Sequence, residues 1–161
     1  MPGATNIAVF GTSCSGAACN STIDAAHAGS VKGVAILSGY TGTIIQARSL
    51  TVGTSGWSQA GGTFTGATQS ISLSGGFNLT GGTFTSTSGT FTASSSPWTV
   101  SGTATFNANS GSLVLNGTTV TMTVGSENYN NVQFTTSNSV TITGTMTVNG
   151  TLDLATSATG R

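Results

Sequence analysis

The sequence predicts an all-β protein: a right-handed parallel β-helix, or β-solenoid, with about 20 residues and three short strands per turn. Three observations predict it. Gly61-Gly62-Thr63-Phe64-Thr65 returns as Gly81-Gly82-Thr83-Phe84-Thr85 and, in weaker form, as Ser101-Gly102-Thr103-Ala104-Thr105. Within each repeat, apolar residues alternate with Ser, Thr and Asn, which puts the apolar side chains on one face of a strand. Gly-Gly and Asn-Gly pairs (Gly75-Gly76, Asn116-Gly117, Asn149-Gly150) separate the strands and supply corners with φ > 0. An antiparallel sandwich has turn signals at similar intervals, but its strands lie in different environments. It has no reason to repeat one side chain at a fixed spacing. A parallel coil has that reason, because residues one turn apart lie directly above each other.

Residues 1–33 fit the period poorly and read as an irregular opening turn around a cysteine loop, with strand-like pieces at Thr5-Asn6-Ile7-Ala8-Val9-Phe10 and Thr22-Ile23-Asp24-Ala25. Residues 34–161 read as one regular solenoid domain, its winding started by Gly33-Val34-Ala35-Ile36 and Gly42-Thr43-Ile44-Ile45. One strand series begins at Leu50, Ile71, Phe91, Leu113, Val132 and Leu152. A second runs through Trp57, Phe77, Trp98, Val120 and Val140, so both tryptophans share an inward phase with Phe77. The third is an expected interior stack of Phe64, Phe84, Ala104, Val124 and Met146, the last after a two-residue insertion. With rungs roughly 4.8 Å apart, six or seven turns make a rod about 30 Å long. Thr151-Leu152-Asp153-Leu154 is still in pattern, with no amphipathic capping helix after it. An open strand edge, a template for another chain, is therefore expected at that end.

Composition narrows the function classes. Charged residues are 4% of the chain and apolar residues 36%. The polarity comes from Thr, Ser, Asn and Gly in strand and turn positions, which favours an ordered β protein over a disordered tract. The basic residues are Lys32, Arg48 and Arg161, too few for the cationic stripe that nucleic acid requires. A net charge near zero leaves little self-repulsion to oppose association. No run of 18 apolar residues suggests a membrane span. Met1-Pro2-Gly3-Ala4 lacks the basic start and apolar stretch of a signal peptide, although the composition looks extracellular. The expectation is a segment of a longer exported protein.

Cys14 and Cys19 are separated by four small residues that can loop back easily. A local disulfide is expected, in keeping with an oxidising compartment, and two free thiols are the alternative. The spacing is not that of a redox CxxC, and no second pair or clustered His completes a zinc site. Neither cofactor nor metal is expected. Catalysis finds little support: Asp24, Glu127 and Asp153 fall at different phases of the period, and Asp24 near His27 lacks a third partner.

Thr43-Ile44-Ile45-Gln46, Trp57-Ser58-Gln59-Ala60-Gly61-Gly62-Thr63-Phe64-Thr65-Gly66 and Gly81-Gly82-Thr83-Phe84-Thr85-Ser86-Thr87-Ser88-Gly89-Thr90-Phe91 resemble repeats of very large bacterial surface proteins. Those proteins are similar to autotransporter passenger domains and filamentous-haemagglutinin-type adhesins. The resemblance covers most of the chain, including Pro2-Gly3-Ala4-Thr5-Asn6-Ile7-Ala8-Val9-Phe10. It implies an extracellular or cell-surface rod, and it specifies architecture more than activity. Three readings follow. In the first, the chain is a structural element that stacks end to end on copies of itself into a fibre. In the second, it is an adhesin that presents corner residues such as Tyr40, Tyr129 and the run Asn128 to Asn131 to a surface glycan or other partner. The third rests on the pairs Thr63/Thr65, Thr83/Thr85, Thr103/Thr105 and Thr145/Thr147, whose rows resemble the ice-binding face of β-solenoid antifreeze proteins. The simpler explanation of those rows is that Thr is a good strand residue for a wet face.

Overall fold

A computed structural model describes residues 2–11, 19–135 and 139–154. Its secondary structure is a succession of short strands wound into a β-solenoid of about six turns, and every pairing between them is parallel. The coil opens with β1 (Ile7–Phe10) and β2 (Ser21–Ile23), followed by β3 (Ser30–Ile36) and β4 (Thr43–Gln46). The next turn is one continuous strand, β5 (Leu50–Thr65), which runs around all three faces. β6 (Ile71–Leu73) and β7 (Phe77–Thr85) make the turn after it. Then come β8 (Thr90–Ala93), β9 (Trp98–Val100) and β10 (Thr105–Asn107), and after them β11 (Ser112–Leu115), β12 (Thr119–Thr123) and β13 (Asn128–Tyr129). β14 (Asn131–Phe134), β15 (Ser139–Thr143), β16 (Thr147–Val148) and β17 (Leu152–Leu154) complete the described chain. Within the segment 1–33, β1 and β2 already pair in parallel with β3 and β4.

Alternation decides what the coil encloses. On the first face Leu50, Ile71, Phe91, Leu113, Val132 and Leu152 are in direct register, as their spacing predicts. The first five are buried and their strand neighbours face out. On the second face Val34, Trp57, Phe77 and Trp98 stack in sequence. Trp98 then pairs with Met122 rather than Val120, because the corner around Asn116-Gly117 absorbs two extra residues.

The third column differs from the expected Phe64, Phe84, Ala104, Val124 and Met146. Ile44, Phe64, Phe84 and Phe106 are the residues in register. A turn closed by the Ala104 amide donating to the Ser101 carbonyl, with Gly102 at φ 68°, delays the strand by two residues. Phe106 then occupies the column. A buried phenyl ring removes far more apolar surface from water than a methyl group, so the slipped register wins. Ala104 and Met146 are left partly buried beside the core, while Val124 is buried at a corner.

The core is an aromatic spine. Phe64 and Phe84 stack at 4.8 Å between ring centroids, and Phe84 and Phe106 at 5.8 Å. Trp57 and Phe77 meet Phe84 edge-on at 5.2 Å and 5.0 Å, so the second column locks into the third. Offset stacks and edge contacts are the favoured geometries for such rings.

Candidate functional site

A solenoid offers three kinds of surface: its lateral faces, its corners and its two ends. The lateral threonines do not form the expected two-column array. Thr43, Thr63, Thr83 and Thr105 make one column, but the neighbouring one reads Ile45, Thr65, Thr85 and Asn107. Thr103 lies in the turn before β10, out of line with Thr83. Thr147 pairs with Asn128, and Thr145 lies outside any strand. The slip that brought Phe106 inward is the reason, since a strand displaced by two residues moves its outward side chains with it.

The corners hold polar groups that the sequence pattern does not reveal as interior. Gln59 is fully buried in phase with Trp57; its Oε1 accepts from Trp57 Nε1 at 3.3 Å and its Nε2 donates to the Thr83 carbonyl at 3.0 Å. Gln46 Nε2 donates to the carbonyls of Gln69 and Ser70 at 3.1 Å each. Thr87 Oγ1 donates to Gln69 O at 2.6 Å and accepts from Gly89 N at 2.9 Å. These side chains bridge successive turns at corners, where carbonyls leave the ladder, and so satisfy backbone groups that burial would otherwise strand.

Tyr40 and Tyr129, expected at contact corners, are instead buried at 3% and 1% exposure. Tyr40 donates its hydroxyl to the Cys19 carbonyl, and the Tyr129 oxygen accepts from Trp98 Nε1 at 3.1 Å. Burial is the main cause that holds the Tyr129 hydroxyl well above the ordinary tyrosine value of 10.0; the Trp98 hydrogen bond works against it and the Glu127 charge with it. Their large rings belong to the interior for the same reason as Phe106. Cys19 is buried and disulfide-bonded, and Cys14 lies outside the described residues.

The described acidic, histidine and arginine side chains are engaged with backbone groups or, for Asp153, with a side chain of the neighbouring turn. Asp24 accepts from Ala26 N at 2.9 Å, Glu127 from Gly125 N at 2.7 Å, and Asp153 from Gln133 Nε2 at 2.8 Å. His27 Nδ1 accepts from Gly29 N at 3.0 Å, and Arg48 donates to the carbonyls of Ala25 and His27. Among the described residues no three His, Cys, Asp or Glu side chains gather as metal ligands would.

The ends carry most of the exposed large apolar side chains, with Leu37 and Ile45 exposed elsewhere. At one end β1 pairs with β3 alone and β2 with β4 alone among the described strands, leaving two free edges. A hollow of about 390 Å³ opens there into the coil, lined by Ile7, Val9, Phe10, Ile23, Val31 and Trp57. At the other end β15, β16 and β17 are each paired on one side among the described strands. Val140, Ile142, Leu152 and Leu154 are exposed there, at up to 59% for Leu154. No family model matches the chain, and no curated protein or solved structure shows a significant match to it.

Proposed function

We propose that the protein is a structural rod of the cell exterior that assembles end to end on copies of itself. One observation carries this reading: at both ends the described strands are paired on one side only and flanked by exposed apolar side chains, Ile7 and Val9 at one and Ile142 and Leu154 at the other. An unpaired edge is a template for another strand, and burying the flanking side chains supplies the driving force. Because the pairing is parallel, the head of one copy meets the tail of the next. Such a contact is heterologous and does not close, so it propagates into a filament. Equal numbers of acidic and basic residues leave no net repulsion between copies. The exterior location rests on the resemblance to bacterial surface repeats and on the Thr- and Asn-rich, charge-poor composition. Ice binding is not retained, because only one threonine column runs on beyond Thr85; the other begins with Ile45 and has Asn107 in place of the next threonine.

Electron microscopy of the purified chain over a range of concentrations tests the reading. Filaments that lengthen with concentration, with a repeat near 4.8 Å along the axis, are the expected result. Particles of one monomer at every concentration would overturn it.

A further inference from the structure

The third face is interrupted between β10 and β13. Among the described strands β10 pairs only with β7, and β13 only with β16, so the parallel ladder breaks between these rungs. The interior does not break with it: the rings of Phe106 and Tyr129 lie 5.1 Å apart. The outer backbone splays while the core stays closed, and an open groove of about 560 Å³ results. That volume falls within the roughly 300–1,000 Å³ of small-molecule sites.

The groove is polar and firmly built. Thr105, Asn107, Ser126, Asn128 and Asn149 line it above Phe106. The side chains of Asn128 and Asn149 make no hydrogen bond among the described residues. Along its rim Asn109 and Ser110 take φ of 51° and 59°, a left-handed conformation that non-glycine residues adopt at a cost and that concentrates at functional sites. Two amides hold it there: Asn109 Nδ2 donates to the Ser86 carbonyl at 2.9 Å, and Asn130 Nδ2 to the Ser110 carbonyl at 2.7 Å.

We propose that this groove binds a neutral oligosaccharide laid across the interrupted ladder. Among the described residues no Lys or Arg lines it, so none of them would neutralise an anion there. Its one carboxylate, Glu127, already has an oxygen engaged by Gly125 N, which is too little for a cation site. Primary amides offer a donor and an acceptor side by side, and neighbouring sugar hydroxyls donate and accept in the same way. Ala104, Phe106 and Ala108 add apolar contact for the C–H face of a sugar ring. An apolar peptide in the same place would bury Asn128 and Asn149 unpaired, which is costly. The groove is lateral, so its occupancy does not depend on assembly at the ends.

The test is a titration of the full chain with tetrasaccharides of glucose, mannose and N-acetylglucosamine, alongside acidic tetragalacturonate and an extended apolar peptide. Calorimetry and backbone amide shifts are the readouts. At least one neutral sugar should bind and shift the amides of β10 and β13. Asn128→Ala combined with Asn149→Ala should weaken that binding at least about tenfold, the effect of two lost hydrogen bonds. The melting temperature should hold, because neither side chain makes a hydrogen bond among the described residues. Thr105→Trp should fill the groove and abolish binding, and Thr63→Trp, two rungs away in the same column, should leave it unchanged. The proposal is overturned if no neutral sugar binds, if only the acidic sugar or the peptide does, or if the double asparagine variant binds as tightly as the parent. Should Thr105→Trp fail to fold, the asparagine variant decides the matter alone.

Discussion

Phe84 concentrates the packing of the molecule in one side chain. It is fully buried, lies between Phe64 and Phe106 in its own column, and receives the edges of Trp57 and Phe77 from the next. Truncation would leave a cavity that four rigid rings cannot collapse to fill. Phe84→Ala is therefore expected to cost about 3–5 kcal/mol, read from the midpoint of a urea titration, and a loss below about 1 kcal/mol would refute the spine as the main stabilising unit. Much of this was legible in the sequence, since Phe64 and Phe84 sit in identical pentapeptides. Phe106 was not, because a turn at Ser101–Ala104 hides the slip behind a third, weaker copy of the same motif. Gln59 shows the other limit. It lies in phase with Trp57, but its polarity gave no sign of an interior place, and what satisfies it there, the Trp57 N–H and the carbonyls of Gly61 and Thr83, comes only from the fold.

Strands in the middle of the coil differ from those at its ends by how many neighbours hold them. β5 is paired with β3, β4, β6 and β7, and β7 with β5, β9 and β10. β15 and β17 each have one described partner and exposed side chains along their length. In a stack of units that contact only their neighbours, opening begins where an interface is missing. Native-state hydrogen exchange should accordingly be slowest for amides of β5 and β7 and faster by orders of magnitude for β15 and β17. Uniform protection along the chain would mean that the coil opens as one unit. The first face was readable strand by strand, because its spacing stays near the repeat from Leu50 to Leu152. The other two faces were readable only as far as Trp98 and Phe84, because the corners beyond them vary in length and periodicity cannot tell a long corner from a displaced strand. The interrupted ladder between β10 and β13 is the outcome of that variation. The lateral groove was therefore invisible to a reading built on the repeat, although the run from Asn128 to Asn131 marked its place as a contact corner.

At the scale of the whole molecule, parallel winding imposes a polarity that an assembly must inherit. The two ends differ: one exposes Ile7 and Val9 beside an apolar hollow, the other Val140, Ile142, Leu152 and Leu154 along strand edges. A head-to-tail filament then needs both ends of every internal copy, and blocking either should stop growth without abolishing the single contact that remains. Ile7→Lys with Val9→Lys leaves the tail free, and Ile142→Lys with Leu154→Lys leaves the head free. All four positions are exposed, so charge there costs the isolated fold little. Each variant alone should sediment as a monomer. Mixed in equal amounts they should form dimers and nothing larger, because one intact head meets one intact tail and both outer ends are blocked. Raising salt to about 1 M, where the Debye length falls to ~3 Å, should change the dimer fraction little, since apolar burial and backbone pairing drive the contact. A mixture that stays monomeric while the parent chain forms filaments would mean that growth proceeds through a lateral face. Dimers of one variant alone would mean a symmetric contact between like ends.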